Sequence, residues 1–401
     1  MRKISLATAR RLALAAQGLD GRWKLPPGCE GVAQTVDRLG HVQIDTISVV
    51  CRAHHHMLWA RRSDYRPEML HQLQATDRRV FEYWAPAASY LPMAAFRFYV
   101  RRLPGYLDGF TERFLAENRT LVREVLGRIR REGPLGSADF KHPTGRKRSG
   151  WWDWKPAKHA LECLFNVGEL MVSERRNFQR RYDLTERVLP PDVDTTPPGE
   201  IERARFLLRR ALRAQGVSGL NHWSMRRRGK TADALDELID AGEVTPVEVR
   251  GADGEFFALT DALAAGPRRA GRRKLHILSP FDGLVRHRGQ LRLLFGFEHK
   301  LEAYTPAAKR KWGYFCLPIL WGEAFLGRLD AKADRKARVL RVLQLLFEPG
   351  LADADAALAP LAGRLAEFAA FNGCDNVEIE QTRPARLRAA IRRELKARAD
   401  P

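Results

Sequence analysis

Several chemistries leave no signature in this 401-residue chain. It has no Walker phosphate loop, no dinucleotide glycine fingerprint, no nucleophile elbow and no HExxH pair, so nothing in it points to those nucleotide, hydride, acyl-transfer or zinc-protease sites. Cysteine is scarce: Cys29, Cys51, Cys163, Cys316 and Cys374 are widely spaced and form no CxxC pair. They read as reduced thiols, neither a disulfide framework nor a zinc cage. No apolar run approaches the roughly 20 residues of a membrane helix. At the N-terminus, MRKISLATARRLALAAQG is interrupted by Arg10 and Arg11, and its LALAA is too short for a signal core. An amphipathic helix and a cytoplasmic protein are expected. Acid is also in short supply, with 48 Asp and Glu against 69 Lys and Arg, a net charge of +21. A chain that basic repels itself, and a polyanionic partner is the usual reason. The 55 Arg against 14 Lys, beside abundant Ala, partly reflect genome composition, so the sign of the charge is the informative part. With 45% hydrophobic and 29% charged residues, the chain can build two to four domains and at least one sizeable core.

What is present begins with an internal repeat. Residues 160–176, ALECLFNVGELMVSERR, align without a gap with 234–250, ALDELIDAGEVTPVEVR, at a spacing of 74. Ala160, Leu161, Leu164, Gly168, Glu169 and Glu174 meet Ala234, Leu235, Leu238, Gly242, Glu243 and Glu248. After one extra residue, Tyr182-Asp183-Leu184-Thr185 meets Phe257-Ala258-Leu259-Thr260. In each copy apolar residues at helical spacing end at a glycine suited to a left-handed C-cap, and an alternating stretch, a polar turn and a second strand follow. Helices expected upstream at 111–132 and 135–140, and at 199–215 and 217–226, complete two winged helix-turn-helix units. A fainter third copy spans 32–50, where a helix, Gly40 and alternating Val42, Ile44 and Thr46 recur.

The expected fold class is α+β, with three tandem winged helix-turn-helix units and a C-terminal mixed β-rich domain. The units fall at 1–110, 111–190 and 191–265, and the C-terminal α+β domain at 266–401. Linkers are the Pro-rich 189–198 and the basic Pro/Gly run 266–274. In the last domain LHILSPF, QLRLLFGFEHKLEAY, GYFCLPILW, EAFLGRLDAK and RVLRVLQLLF read as strands, closed by helices at 351–371 and 384–399.

Winged helices bind duplexes through a recognition helix and a basic wing. The stretch 141–181 carries ten Lys or Arg against four acids; Arg146, Lys147, Arg148, Lys155 and Lys158 precede the wing, and Arg175, Arg176, Arg180 and Arg181 lie on it. A second patch holds Arg226, Arg227 and Arg228, and a third, PRRAGRRK, holds Arg272, Arg273 and Lys274. These cations would contact phosphates and make binding fall steeply with salt, while specifying no sequence by themselves.

Residues i and i+2 of a strand share a face, so Gln43 and Asp45 should project together while Ile44 faces the core. A carboxylate on a basic DNA-binding surface repels phosphate and needs another purpose. Breaking a sugar–base bond supplies one, because the deoxyribose develops oxocarbenium charge that a carboxylate stabilises while guiding water. Gln43 would hold that water or the sugar. His54, His55 and His56 are adjacent, so their side chains diverge and make a poor metal cluster. The tryptophans of GWWDWKP (150–156) suit a small core better than base stacking. On the residues alone a non-catalytic transcription regulator stays open beside the enzyme, and an RNA-binding module more weakly.

Longer stretches carry a family resemblance. They include LALAAQGL (12–19), QIDTISVV (43–50), FEYWA (81–85), GPLGSADF (133–140), GWWDWKPAKHALECLF (150–165) and GELMVSERRNFQRRYDLTERVLP (168–190). LSPFD (278–282), YTPAAKRKWGYFCLPIL (304–320) and GRLDAKADRK (327–336) extend it towards the C-terminus. The chain resembles the YcaQ/AlkZ-type winged-helix DNA glycosylases that repair interstrand crosslinks.

The resemblance implies three tandem winged helices in a C-shaped arrangement around double-stranded DNA. It implies a catalytic Gln-x-Asp motif at Gln43 and Asp45, the form typical of the general crosslink-repair branch. The implied reaction is hydrolysis of the N-glycosidic bond of N7-alkylguanine, in monoadducts and nitrogen-mustard-type crosslinks. No cofactor, metal or lysine nucleophile is needed, so a monofunctional, monomeric enzyme without membrane contact is expected. One departure stands out: relatives commonly carry a His-Glu pair after the EYWA motif, where this chain has Pro86-Ala87.

Overall fold

The computed structural model describes residues 1–100, 109–140, 156–219, 229–266, 273–349 and 355–399. Contacts divide the chain into two compact units, one of 1–25, 38–65 and 204–401, the other of 26–37 and 66–203. Helices stand beside mainly antiparallel sheets, which makes the class α+β.

In the second of these units the helices Arg119–Glu132 and Pro156–Asn166 cover the hairpin Leu170–Arg176 and Gln179–Leu184. Ile129, Leu161, Phe165 and Tyr182 share its core with Phe81 from the hairpin Val80–Trp84 and Ala88–Pro92. The helix expected over 111–132 is two helices, Gly109–Glu117 and Arg119–Glu132. They part at Asn118, whose Nδ2 joins its own backbone N–H in donating to the Phe114 carbonyl, both at 3.0 Å. The helix expected over 135–140 is a single 3-10 turn, Ser137–Asp139. Leu135 instead exchanges both backbone hydrogen bonds with Tyr182, at 3.0 and 2.8 Å.

The other unit carries two sheets. In the first, Arg2–Ile4 runs parallel to Val244–Val249, which pairs with Phe256–Leu259, and that strand pairs with Ser218–Gly219. Ser5 caps the expected N-terminal helix Leu6–Ala16, its Oγ accepting from Thr8 N at 3.1 Å. The second sheet follows the order Leu275–Ile277, Leu317–Trp321, Ala324–Asp334, Val339–Phe347, Asn376–Ile379, and Thr382–Arg383 also pairs with Val339–Phe347. Helices Leu358–Phe371 and Leu387–Ala399 close it, as expected. One assignment is corrected: QLRLLF belongs to a helix, Arg288–Phe295, which buries Leu291 and Leu294 and stops at left-handed Gly296. The expected helix 217–226 begins instead on the strand Ser218–Gly219, because the pairing with Phe256–Phe257 claims that backbone; its remainder lies outside the described residues.

The repeat is visible in register. Leu170 pairs with Leu184 and Val244 with Leu259, the partners expected at the offset with its one extra residue. Gly168 and Gly242 take φ of 76° and 71°, the left-handed turn that ends each helix. Glu169 N then bonds Leu164 O and Glu243 N bonds Leu238 O, both at 3.0 Å. Tyr182 bridges to Leu135 as Phe257 does to Ser218. Among the described residues no helix is long and apolar enough to cross a membrane, and all five cysteines are free.

Candidate active site

The helix Gly28–Leu39 ends at Gly40, whose carbonyl accepts from Arg210 Nε at 2.8 Å. The chain then forms a strand of two residues, Val42–Gln43. This is shorter than the alternating run expected through Thr46. Asp45 explains the stop: its Oδ1 accepts the Ile47 N–H at 2.7 Å, a local turn that takes the backbone out of the ladder. Gln43 and Asp45 therefore share one short segment without sharing a continuous strand.

Gln43 is buried, and its Oε1 accepts from Arg286 Nη1 at 3.2 Å. Asp45 is half-buried. Burial pushes its carboxyl pKa up, against the opposing pull of the Ile47 N–H and the Arg52 charge. Arg52 is itself held by the Thr46 carbonyl at 2.9 Å. Farther along, Ala333 N donates to Val49 O at 3.1 Å and Arg335 Nη2 to Val50 O. The segment is thus fastened at Gly40, Gln43, Thr46, Val49 and Val50. It presents one partly desolvated carboxylate and one amide of fixed direction, a set suited to stabilising a developing cation and orienting water.

Arg286 ends the short helix Gly283–Arg286, which Asp282 caps by accepting from Leu284 N at 3.1 Å. Sequence reading missed Arg286, and no local pattern marks it.

The cations expected on the wing behave differently from their sequence count. Arg175 and Arg180 both pair with Glu82, whose side chain is fully buried, and Arg180 also pairs with Glu162 at 3.0 Å. Their own side chains are 13% and 15% exposed. Arg181 pairs with Asp139, while Arg176, 68% exposed, meets Glu174 at 2.7 Å. Lys158 is half-buried, and burial pushes its pKa down. Arg273 and Lys274 are exposed, with the Arg273 guanidinium 4.6 Å from the Trp321 ring centre. Arg146, Lys147, Arg148, Lys155, Arg226, Arg227, Arg228 and Arg272 lie outside the described residues, as do the tryptophans of the 150–156 stretch.

The histidines are structural. His56 Nε2 lies 3.0 Å from the Ile277 carbonyl and its ring stacks on Phe368, while His55 Nδ1 meets Tyr65 OH at 2.7 Å. Burial pushes both rings down to about 4, so they are neutral near pH 7. No metal-binding group of His, Cys, Asp or Glu occurs among the described residues. Pro86-Ala87 sits in the turn between Val80–Trp84 and Ala88–Pro92, where Ala87 O accepts from Ala85 N at 3.0 Å.

A second feature was missed. The loop after Glu302 is held by two carboxylates: Glu302 accepts from the backbone of Lys311 and Trp312 at 3.0 and 2.8 Å, and Asp330 from Tyr314 at 2.8 Å. The loop exposes Tyr304 (84%) and also carries Lys309, Arg310 and Lys311, a combination of aromatic and cations that suits a nucleic-acid strand. Its signal was the run YTPAAKRKWGY, read only as a resemblance.

A family model described as "DNA glycosylase AlkZ-like" matches residues 36–368. A solved structure, the Streptomyces sahachiroi DNA glycosylase AlkZ, is similar with a TM-score of 0.61 at 19% identity, covering 94% of this chain and 100% of that one. At that identity the likeness is one of fold.

Proposed function

The chain belongs to the AlkZ-like DNA glycosylase family, and from that premise we propose that it hydrolyses the N-glycosidic bond of N7-alkylguanine in duplex DNA, in monoadducts and in nitrogen-mustard-type interstrand crosslinks. The observation that carries this reading is the fastened segment with half-buried Asp45 beside Gln43. Alkylation at N7 makes the purine cationic, so the C1′–N9 bond breaks with its electron pair returning to N9 and no proton is needed on the leaving base. Asp45 stabilises the oxocarbenium sugar and takes a hydrogen bond from the incoming water, whose oxygen bonds C1′ and whose proton leaves through the carboxylate. Gln43 holds that water or the sugar. A sparse site suits a crosslinked base that cannot be flipped into a snug pocket.

The shared strand registers of 170–184 and 244–259 support reading both segments as wings of winged-helix units. In this reading the protein acts as a cytoplasmic, nucleoid-associated monomer, with exposed Arg176, Arg273 and Lys274 among its phosphate contacts. The experiment is base release from a duplex bearing one N7-methylguanine, then from a mustard crosslink, for wild type and Asp45→Asn. The variant should keep its DNA affinity and lose excision by about 10²–10³-fold. Tight, salt-sensitive binding with no release by wild type would replace this reading with a non-catalytic DNA-binding protein.

A further inference from the structure

We propose that Arg286 holds a phosphodiester of the DNA strand beside the reacting nucleotide and, through the same guanidinium, fixes the direction of the Gln43 amide. The inference rests on the glycosylase reading of the Gln43–Asp45 segment.

Several arginines buried in this fold have carboxylate partners: Arg61 has Asp282, Arg175 and Arg180 have Glu82, and Arg328 has Glu348. Such pairing is what removal of a guanidinium from water requires. Arg286 has no such partner among the described residues. It is half-buried, and among the described residues its guanidinium makes one hydrogen bond, to the neutral oxygen of Gln43, and no ion pair. Burial alone pushes its pKa down, with no neighbouring carboxylate acting against it. The group nevertheless stays protonated near neutral pH. Of its five N–H donors one is committed to Gln43, and the rest form a planar fork that matches two phosphate oxygens. The macromolecular substrate of a DNA glycosylase brings such an anion to this segment.

The contact with Gln43 has a second consequence. With Oε1 accepting from Arg286, the amide turns its two Nε2 hydrogens away from the guanidinium. Gln43 therefore serves as a donor. A water that accepts from Nε2 keeps its own hydrogens for Asp45 and a lone pair for C1′. Arg286 is well placed to be rigid: its helix is one turn long, its N–H bonds Asp282 O at 2.8 Å, and Asp282 is locked by Arg61. Arg286 is thus a binding residue for the substrate and a positioning residue for Gln43.

The test uses the full chain and duplexes with one N7-methylguanine, in which each phosphate flanking the lesion is replaced in turn by a neutral methylphosphonate. Excision is read as the single-turnover rate at saturating protein. Wild type should slow by about 10²-fold at one particular phosphate. Arg286→Ala should be slow on the native duplex by a similar factor and lose almost nothing more from that methylphosphonate. Arg286→Lys should recover part of the rate, because it restores the charge without the fork. Additive losses in Arg286→Ala, or excision by that variant at the wild-type rate, would overturn the proposal. So would a wild-type protein indifferent to neutralisation at every flanking phosphate, a result that needs no variant to fold. If wild type releases no base from the native duplex, the glycosylase reading itself falls, and this inference falls with it.

Discussion

Arg61 and Asp282 face each other through two hydrogen bonds, Nη1 to Oδ2 at 2.6 Å and Nη2 to Oδ1 at 3.0 Å, with side chains 1% and 0% exposed. Arg61 also donates to the Gln17 backbone carbonyl and to Gln17 Oε1, both at 2.8 Å. Two stretches far apart in the chain, LALAAQGL and LSPFD, meet in this way. Their joint product is a fixed base for the helix that carries Arg286, and through Arg286 for Gln43.

Breaking the pair from one side leaves a buried, uncompensated guanidinium. Asp282→Asn should lower stability by about 3–5 kcal/mol, measured by urea denaturation. It should also slow excision in the protein that remains folded, because Gln43 loses its support. Unchanged stability would mean that the network is dispensable.

Glu82 holds Arg175 and Arg180 as structural cations. Burial by itself pushes its carboxyl pKa up, but the charges of Arg180 and Arg175 and their hydrogen bonds outweigh it and hold it below the ordinary glutamate value. A folded pKa below the unfolded one means stabilisation that is complete above the unfolded value of about 4.3 and is lost as pH falls through the folded value. Glu82→Gln should therefore cost most near pH 7, about 3–5 kcal/mol, and progressively less in acid. Arg175→Ala should likewise lower the melting temperature. Arg176→Ala should leave it alone and flatten the log–log salt dependence of DNA binding by about 0.9. The same salt slope in both arginine variants would erase the distinction.

The loop carrying Tyr304 makes a separate expectation. Tyr304→Ala should weaken binding to duplex DNA by about 1–3 kcal/mol if the ring stacks on a base, with no change in melting temperature because the side chain is 84% exposed. Gly313 has φ of 132°, and a Cβ there would run into the Asp330 carboxylate, so Gly313→Ala should disturb the whole loop. Fluorescence anisotropy on a labelled duplex checks both; wild-type affinity in both variants would remove the loop from the interface.

How much of this could be read from the chain depended on the distance between partners. The repeat was legible because helix, glycine and hairpin are local, and the strand registers at Leu170 and Val244 agree with it. QLRLLF was misread because a short leucine-rich run fits strand and helix alike, and the deciding feature is the left-handed stop at Gly296. Gln43 and Asp45 were singled out on an alternation that ends at Gln43, since Asp45 spends its side chain on the Ile47 N–H. Arg286 was invisible, because its partner lies 243 residues away. Glu82 was equally hidden: one acid in an aromatic strand says nothing of the two arginines that neutralise it.

The most direct reading of the site comes from its pH dependence. Asp45 must be ionised to face the sugar cation, and burial holds its pKa above the ordinary aspartate value of about 3.9. Excision of N7-methylguanine should therefore rise with pH through an inflection above that value and then level off. No descending limb should follow, because a cationic base leaves without taking up a proton. Arg52 is the neighbouring charge that pulls the Asp45 pKa down, so Arg52→Gln should move the inflection to higher pH while leaving the plateau nearly unchanged. Single-turnover rates across the range decide the matter. A bell-shaped profile would require a general acid that the proposed chemistry lacks, and an inflection indifferent to Arg52 would take the ionisation away from Asp45.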